Sequence, residues 1–300
     1  MSTSNGIYSA MLTPFNADFS VSVERIPALV DYSLANGLDG LYVGGSSGES
    51  ILQSFEERAL VLAEVAAYAK PKCKLIAHVG AAATNDAVRL AKVAGQSGYG
   101  SVSAIPPIYY PHNFNSISDY YKSIVDAAGI PLIIYNLPSL TGVDMGTDGL
   151  LKLLEDDAIC GIKYTAQDLF QFWQLRQAAP DKSFYFGTDE MFLGAAAMGA
   201  DGGIGSTYNL IGDVYVGINK AVAAGDIAQA RVLQHKANTL VSLLLKTGVL
   251  PGLKHALNYL GVPVGPCRRP FQAGNVQALA ELEAWMNKNL SPAQLNFNKA

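Results

Sequence analysis

The chain has 300 residues, of which 50% are hydrophobic and 15% are charged, and its formal net charge is -4. The apolar content excludes intrinsic disorder, and the charged fraction lies well below the roughly 25% that is usual in soluble domains, which favours oligomer interfaces or covered helices. Because the chain lacks the basic stripe typical of nucleic-acid-binding proteins, we expect neither nucleic acid nor an anionic membrane as a partner.

Short apolar runs alternate with longer helical patterns almost from the first residue. Several runs, such as Leu132-Ile133-Ile134, are continuously apolar, which is typical of strands buried on both faces of a parallel sheet. The predicted strands are Ile7–Leu12, Gly40–Val43, Leu75–Val79, Ser101–Ala104, Leu132–Tyr135, Ile159–Lys163, Phe184–Phe186 and Gly202–Gly205. The predicted helices between them are Val23–Asn36, Phe55–Ala69, Asp86–Gln96, Ile117–Ala128, Gly149–Leu154, Leu169–Ala178 and Glu190–Met198. This alternation predicts an α/β fold, a (β/α)8 TIM barrel.

Helical patterns continue after the last predicted strand. They cover Ile227–Lys246, Leu253–Leu260 and Val276–Asn287. We therefore predict one structural unit, with a barrel over residues 1–222 and a C-terminal helical extension over residues 223–300 that packs on it.

The cysteines and histidines indicate no metal site. Cys73, Cys160 and Cys267 are widely spaced and form no CxxC pair, and the four histidines are too scattered for a pair of ligands on one helix or strand. The segment Met1–Asn5 lacks the basic start of a secretory signal, and no apolar run approaches the roughly 18 residues of a membrane span. We expect a cytoplasmic protein that needs neither a metal nor an organic cofactor.

Reactive residues of a barrel lie at the carboxyl ends of its strands and in the loops that follow. Polar residues follow five of the predicted strands, at Gly44–Glu49, Tyr135–Pro138, Lys163–Thr165, Gly187–Glu190 and Gly205–Tyr208. These junctions therefore hold the candidate site.

Lys163 is the most informative of these residues. Strand alternation places it on the same face as Gly161 and Ile159, which points into the barrel. Desolvation there favours the neutral amine, which is the form that attacks a ketone. A lysine that reaches the rim or pairs with a loop carboxylate is an equally good interpretation of the position alone.

Other junction residues also allow two interpretations. Tyr135 could relay protons beside an imine, with Ser47 extending the relay, or it could only pack inside the barrel. The Gly44–Gly48 loop offers N–H groups and hydroxyls for a carboxylate, but no lysine follows Gly48 as it would in a P-loop. Asp189 could bind substrate or cap a helix that begins near Glu190.

Taken in order, these motifs resemble those of the pyruvate-dependent class I aldolases, the family that includes dihydrodipicolinate synthase and N-acetylneuraminate lyase. The resemblance runs from about Gly6 to beyond Phe271. It rests on Gly44–Glu49, Tyr135-Asn136-Leu137-Pro138, Gly161-Ile162-Lys163 and Gly202–Ser206. It implies a barrel with C-terminal helices that assembles as a homotetramer.

Within the family, the chain is similar to the sialic acid lyases. Synthases carry Arg two residues after the proline of their YNxP motif, where this chain has Leu140. The lyases carry a Lys-x-Thr motif and a GxDE motif, which Lys163/Thr165 and Gly187/Asp189/Glu190 match. The resemblance therefore implies reversible cleavage of N-acetylneuraminate to N-acetylmannosamine and pyruvate.

The resemblance also implies a role for each site residue. Lys163 would form the Schiff base, Tyr135 would move the proton of the C4 hydroxyl, and Ser47 would be its hydrogen-bond neighbour. Ser46 and Ser47 would hold the carboxylate of the pyruvyl group. The sugar hydroxyls would be read by Thr165, Gly187, Asp189, Glu190 and Ser206. One departure is Ser47, where the family commonly has Thr, so the hydroxyl is retained on a less rigid side chain.

Two alternatives stay open at this point. The chain could be another class I 2-keto-acid aldolase or a condensing enzyme of the synthase type, or it could be a barrel that binds a sugar acid without turning it over. Tyr110 could reach the site of a neighbouring subunit, as a similar tyrosine does in the synthases.

Overall fold

A closed barrel of eight parallel strands forms the centre of the molecule, in a computed structural model that describes residues 6–297. Each strand pairs with the next along the chain, and the last pairs with the first. The strands are β1 (Gly6–Ala10), β2 (Gly40–Val43), β3 (Lys74–His78), β4 (Ser101–Ala104), β5 (Leu132–Asn136), β6 (Ile159–Tyr164), β7 (Ser183–Phe186) and β8 (Gly202–Gly205). This confirms the predicted (β/α)8 TIM barrel with C-terminal helices. Met1–Asn5 and residues 298–300 lie outside the described residues.

Helices follow the strands and continue beyond the barrel. They are α1 (Ile26–Ala35), α2 (Phe55–Ala69), α3 (Thr84–Ser97), α4 (Phe114–Ala128), α5 (Pro138–Thr141), α6 (Gly146–Leu154), α7 (Leu169–Ala178), α8 (Phe192–Ala197), α9 (Tyr208–Ala223), α10 (Ile227–Thr247), α11 (Val249–Tyr259), α12 (Val276–Asn289) and α13 (Pro292–Leu295). The start of α2 is fixed by a capping box, in which the Glu57 N–H donates to the Ser54 hydroxyl and the Ser54 N–H donates to the Glu57 carboxylate.

Buried side chains fill the interior of the barrel below the carboxyl ends of its strands. The buried interior cluster includes Tyr8, Tyr42, Ile76, Ile133, Tyr135, Tyr185 and Ile204. Tyr8 and Tyr185 meet edge to face, with their ring centres 5.6 Å apart. Gly40 makes this packing possible, because a Cβ atom there would lie 2.6 Å from the Tyr8 ring. The larger apolar cluster lies between the strands and the surrounding helices.

The first part of β6 differs from the simple alternation that the sequence predicts. Ile159 packs with the outer cluster, whereas Cys160 contacts the interior cluster. The pairing of β5 with β6 shifts between Leu132 and Ile133, so one additional residue is accommodated there. The expectation that Ile159 points inward is therefore wrong, although Gly161 and Lys163 keep the inward direction.

The C-terminal helices pack against the last helix of the barrel. α10 contacts α9, α11 and α12, and α9 also contacts β1. Because α9 runs to Ala223 and touches both parts, the division between residues 222 and 223 stays a prediction. Within the described residues no single helix is long and apolar enough to cross a membrane, and only α10 and α11 together, bent by 108°, meet that criterion.

Candidate active site

Lys163 lies at the carboxyl end of β6 with its amine between two aromatic rings. The residue is 3% exposed, and its Nζ atom lies 4.0 Å from the ring centre of Tyr135 and 4.2 Å from that of Tyr42. Among residues 6–297 the Nζ atom makes no hydrogen bond or ion pair. Ring faces attract the protonated amine without the fixed geometry of an ion pair, and they leave the lone pair of the neutral amine unoccupied. The amine is therefore held in place and still available to react.

Tyr135 stands beside Lys163 because β5 and β6 pair these two residues directly. Its side chain is buried, and its hydroxyl makes no hydrogen bond with a described residue. The lysine amine and a free phenol hydroxyl therefore lie at one level of the barrel.

Tyr42 is a residue of this site that the sequence analysis missed. Its ring meets that of Tyr135 edge to face at 5.9 Å, and its hydroxyl donates to Ser103 at 3.0 Å. Burial raises the pKa of Tyr42 well above its usual value, and Tyr135 raises it further. A search restricted to residues after the strands passes over Tyr42, which lies within β2, but its inward alternation is a signal that could have found it.

The loop after β2 forms a short helical turn over Ser46–Gly48. The backbone N–H groups of Ser46 and Ser47 donate to no described residue, as is usual at the start of a helical turn. The Ser47 hydroxyl lies 2.7 Å from that of Ser206, which follows β8. This contact takes the place of the hydrogen bond expected between Ser47 and Tyr135. The turn thus presents N–H groups and hydroxyls that suit a carboxylate.

His78 supports this loop from beneath. Its Nδ1 atom lies 2.9 Å from the Gly44 carbonyl, and its Nε2 atom accepts from the Ile105 N–H at 3.4 Å. Burial, and after it the charge of the neighbouring Arg58, lower the pKa of His78 to about 3. The imidazole is therefore neutral, and its Nδ1–H donates to Gly44.

Asp189 follows β7 and is tied to the end of β8. Its Oδ2 atom accepts from the N–H of Thr207 at 2.8 Å and from its hydroxyl at 2.7 Å. Its buried Oδ1 atom has no hydrogen-bond partner among residues 6–297. Burial raises the pKa of Asp189 to about 6, against the lowering effect of the Thr207 hydrogen bonds. One carboxylate oxygen is thus fixed and the other is free for a ligand.

The expected helix at Glu190 begins later. A short turn covers Asp189–Met191, and α8 starts at Phe192. The side chain of Asp189 therefore bonds across to Thr207 and caps no helix, while Glu190 is exposed and makes no described hydrogen bond.

Thr165 and Gly187 lie next to the lysine. A Cβ atom at Gly187 would lie 1.9 Å from the Thr165 hydroxyl and 3.2 Å from Cε of Lys163, so only glycine leaves this space open. The buried Thr165 hydroxyl has no partner among the described residues. A hydroxyl without a partner among the described residues therefore lies close to the side chain of Lys163.

Ser46 and Tyr110 lie farther out. Ser46 lies at the wall of an apolar cavity of about 300 Å³ that also contacts Leu140. Tyr110 is 68% exposed and touches Tyr109. In the described part of the chain, no group of three or more His, Cys, Asp or Glu side chains is placed to hold a metal ion.

Comparison with known proteins gives consistent results. The sequence model of the dihydrodipicolinate synthetase family matches residues 3–289. An N-acetylneuraminate lyase of Rhizobium meliloti is 47% identical over 287 residues, which cover 93% of this chain and 96% of that protein.

Solved structures extend the likeness to three dimensions. A Clostridium difficile protein named CdNal, in complex with mannosamine, superposes with a TM-score of 0.93 at 34% identity and covers 96% of this chain and 99% of its own. N-acetylneuraminate lyase from Fusobacterium nucleatum, complexed with pyruvate, gives a TM-score of 0.90 at 37% identity and covers 96% and 97%.

Proposed function

The chain belongs to the dihydrodipicolinate synthetase family, and we propose that it catalyses the reversible aldol cleavage of N-acetylneuraminate to N-acetylmannosamine and pyruvate. The observation that carries the proposal is Lys163, a buried amine without an ionic partner among the described residues that stands beside the free hydroxyl of Tyr135. The likeness to N-acetylneuraminate lyases supports the choice of substrate.

The reaction proceeds through a covalent imine on Lys163. Its neutral amine attacks the C2 ketone of the open-chain sugar acid, and loss of water gives a protonated imine. This cation accepts the electron pair of the C3–C4 bond as that bond breaks, while the C4 hydroxyl loses its proton and becomes the aldehyde of N-acetylmannosamine. Protonation of the enamine at C3 and hydrolysis then release pyruvate and restore the amine.

Tyr135 takes the proton of the C4 hydroxyl and returns it to the aldehyde oxygen in the reverse direction. Its free hydroxyl and its position next to the lysine support this role. Ser47, which is paired with Ser206 before substrate arrives, contributes a second hydroxyl close to the reacting groups.

The remaining site residues bind the substrate. The N–H groups and hydroxyls of Ser46 and Ser47 hold the carboxylate. The sugar hydroxyls are bound by Thr165, Gly187, Asp189, Glu190 and Ser206. The free Oδ1 atom of Asp189 and the free hydroxyl of Thr165 support this assignment, because each offers a buried hydrogen-bonding position without a partner among the described residues.

The assembly and the location of the chain are part of the same proposal. Exposed apolar side chains at Ile51, Tyr110 and Leu140 support association of the chain with copies of itself, as a homotetramer whose size light scattering would measure. A cytoplasmic location stays a prediction.

Trapping of the imine tests the function. The chain is treated with borohydride and N-acetylneuraminate free of pyruvate, and its peptides are mapped by mass. We expect a three-carbon adduct on Lys163, which requires both imine formation and cleavage. A nine-carbon adduct alone would point to a different substrate, and no adduct with either N-acetylneuraminate or pyruvate would favour a binding protein without turnover.

The synthase-type alternative differs in its second substrate. Leu140 lies where the synthases carry their arginine, and it lines an apolar cavity whose lining, among the residues that the structure describes, includes no lysine or arginine for a second carboxylate. Efficient condensation of aspartate semialdehyde with pyruvate would nevertheless overturn the assignment to the lyases.

A further inference from the structure

A buried ion pair lies next to the Ser46–Gly48 turn and takes no part in the mechanism proposed above. Glu49 and Lys254 form an ion pair, with Oε1 and Nζ 2.7 Å apart and both side chains almost completely buried. The other carboxylate oxygen of Glu49 accepts from the backbone N–H of Arg268 at 2.7 Å. Because burying two charges is costly even when they pair, such a pair is weak support for stability and needs another explanation.

The position of Glu49 connects this pair to the candidate carboxylate site. Glu49 directly follows the turn, and its own N–H donates to the Ser46 carbonyl at 3.0 Å. Its backbone is left-handed, with φ at 59°, which is uncommon for a residue other than glycine. The buried carboxylate therefore anchors the end of the turn in a conformation that the backbone does not favour.

The groups that hold Glu49 come from the segment after the barrel. Lys254 belongs to α11 and also donates to the Pro266 carbonyl at 2.8 Å. The guanidinium of Arg268 donates to the Leu52 carbonyl at 2.8 Å and to Glu57 at 2.7 Å. The C-terminal segment is thus joined to the loop after β2 by an ion pair and several hydrogen bonds.

The ring of Phe15 contacts both Lys254 and Arg268. Nζ of Lys254 lies 4.1 Å from the centre of its ring, and the guanidinium carbon of Arg268 lies 4.4 Å from it. Both cations therefore have a fixed aromatic neighbour as well as their polar partners.

We propose that Glu49, whose buried charge Lys254 balances, is a positioning residue for the carboxylate of the 2-keto acid. It holds the Ser46–Gly48 turn so that its free N–H groups and its two hydroxyls converge on that carboxylate, which makes the C-terminal segment a structural part of the active site. This inference rests on the proposed function.

Two double variants separate positioning from the loss of buried charge. Glu49→Gln/Lys254→Met and Glu49→Ala/Lys254→Met both remove the ion pair without leaving a charge unpaired. Only the variant with Gln keeps an acceptor for the Arg268 N–H. The rate of imine trapping with cyanoborohydride is measured with pyruvate and with acetone, whose imine has a methyl group in place of the carboxylate.

We expect the second-order trapping rate with pyruvate to fall about tenfold or more in the Ala variant and less than about threefold in the Gln variant. The rate with acetone is expected to change less than about threefold in both. If the Ala variant does not fold, Glu49→Leu/Lys254→Met is measured instead, because leucine also removes the acceptor but keeps the buried volume filled, and the same selective loss is expected for pyruvate.

The control is the unchanged chain. If it traps neither ketone on Lys163, the proposed function fails. If it traps both, and the Ala variant either loses pyruvate and acetone by the same factor or keeps both rates, the positioning role is wrong while the proposed function stands.

Discussion

Among residues 6–297 two lysines are buried near the same end of the barrel, and their surroundings are opposite. Lys254 is enclosed by the Glu49 carboxylate, the Pro266 carbonyl and the Phe15 ring. Lys163 has only the ring faces of Tyr42 and Tyr135, with no ionic partner in the described part of the chain. Burial lowers the pKa of Lys254, and Glu49 opposes this effect. Burial alone therefore does not make a lysine a candidate nucleophile, and the absence of a fixed partner distinguishes the two sites.

Replacing each lysine by methionine is the most direct way to break this comparison. Lys163→Met removes the nucleophile, so we expect kcat to fall by about 10⁴-fold or more. It breaks no ion pair, so the thermal unfolding midpoint should stay the same or rise. Lys254→Met leaves Glu49 buried without its partner, and the free energy of unfolding should fall by about 3–5 kcal/mol.

Turnover followed by pyruvate release and unfolding followed by circular dichroism measure the two effects. A Lys163→Met variant with more than about one hundredth of normal turnover would show that the imine forms elsewhere. A Lys254→Met variant as stable as the unchanged chain would show that Glu49 finds another partner.

The strands and the position of Lys163 could be predicted from the sequence, whereas the surroundings of Lys254 could not. The predicted bounds of β2, β4 and β8 agree with the structure, because short apolar strands between glycines and helices have clear limits. Lys163 could be found because its neighbours alternate along β6. The outward direction of Ile159 could not be predicted, since it arises from a register shift in the pairing with β5.

The ion pair between Glu49 and Lys254 leaves no local signal in the sequence. Glu49 belongs to a recognisable motif, but Lys254 is more than two hundred residues away in the chain and looks like an ordinary helical lysine. The contact of Asp189 with Thr207 was also hidden, because the exact start of α8 decides whether the Asp189 side chain caps a helix or reaches Thr207.

The two tyrosines around Lys163 sharpen the comparison, because both supply a ring and only one has a free hydroxyl. Tyr135→Phe removes the proposed proton carrier, and we expect kcat to fall by about 10²- to 10⁴-fold. Tyr42→Phe removes only a hydrogen bond to Ser103, so kcat should change less than about tenfold and stability by about 1 kcal/mol.

Both variants keep the ring faces beside the amine, and both should still form the trapped imine with pyruvate. Steady-state turnover and trapping on the same preparations measure the two steps separately. Equal losses of turnover in the two variants would mean that the rings, and not the Tyr135 hydroxyl, are what the reaction needs.

Asp189 gives the smallest expected effect and tests why Lys163 lacks an ionic partner. This carboxylate is close enough for Lys163 to lower its pKa, yet it bonds to Thr207. With a pKa of about 6, it is protonated below that pH and ionised above it. Since the ionised form is proposed to accept from a sugar hydroxyl, kcat/KM for N-acetylneuraminate should fall as the pH drops below 6. In Asp189→Asn it should be lower by about tenfold at pH 7 and show no break near pH 6.

The free energy of unfolding should change with pH in the direction opposite to kcat/KM. The folded-state pKa of Asp189 lies above its ordinary value of 3.8, so the folded chain holds this proton more tightly and loses stability as the pH rises from about 4 to about 6. Urea unfolding should show a loss of stability from pH 4 to pH 7 that is about 2 kcal/mol larger in the unchanged chain than in Asp189→Asn. Pyruvate has no sugar hydroxyls, so its trapping rate at the same pH values separates the binding of the sugar from the pH dependence of imine formation. A break in kcat/KM near pH 6 that persists in Asp189→Asn would assign it to another group and leave the free Oδ1 atom without a role in substrate binding.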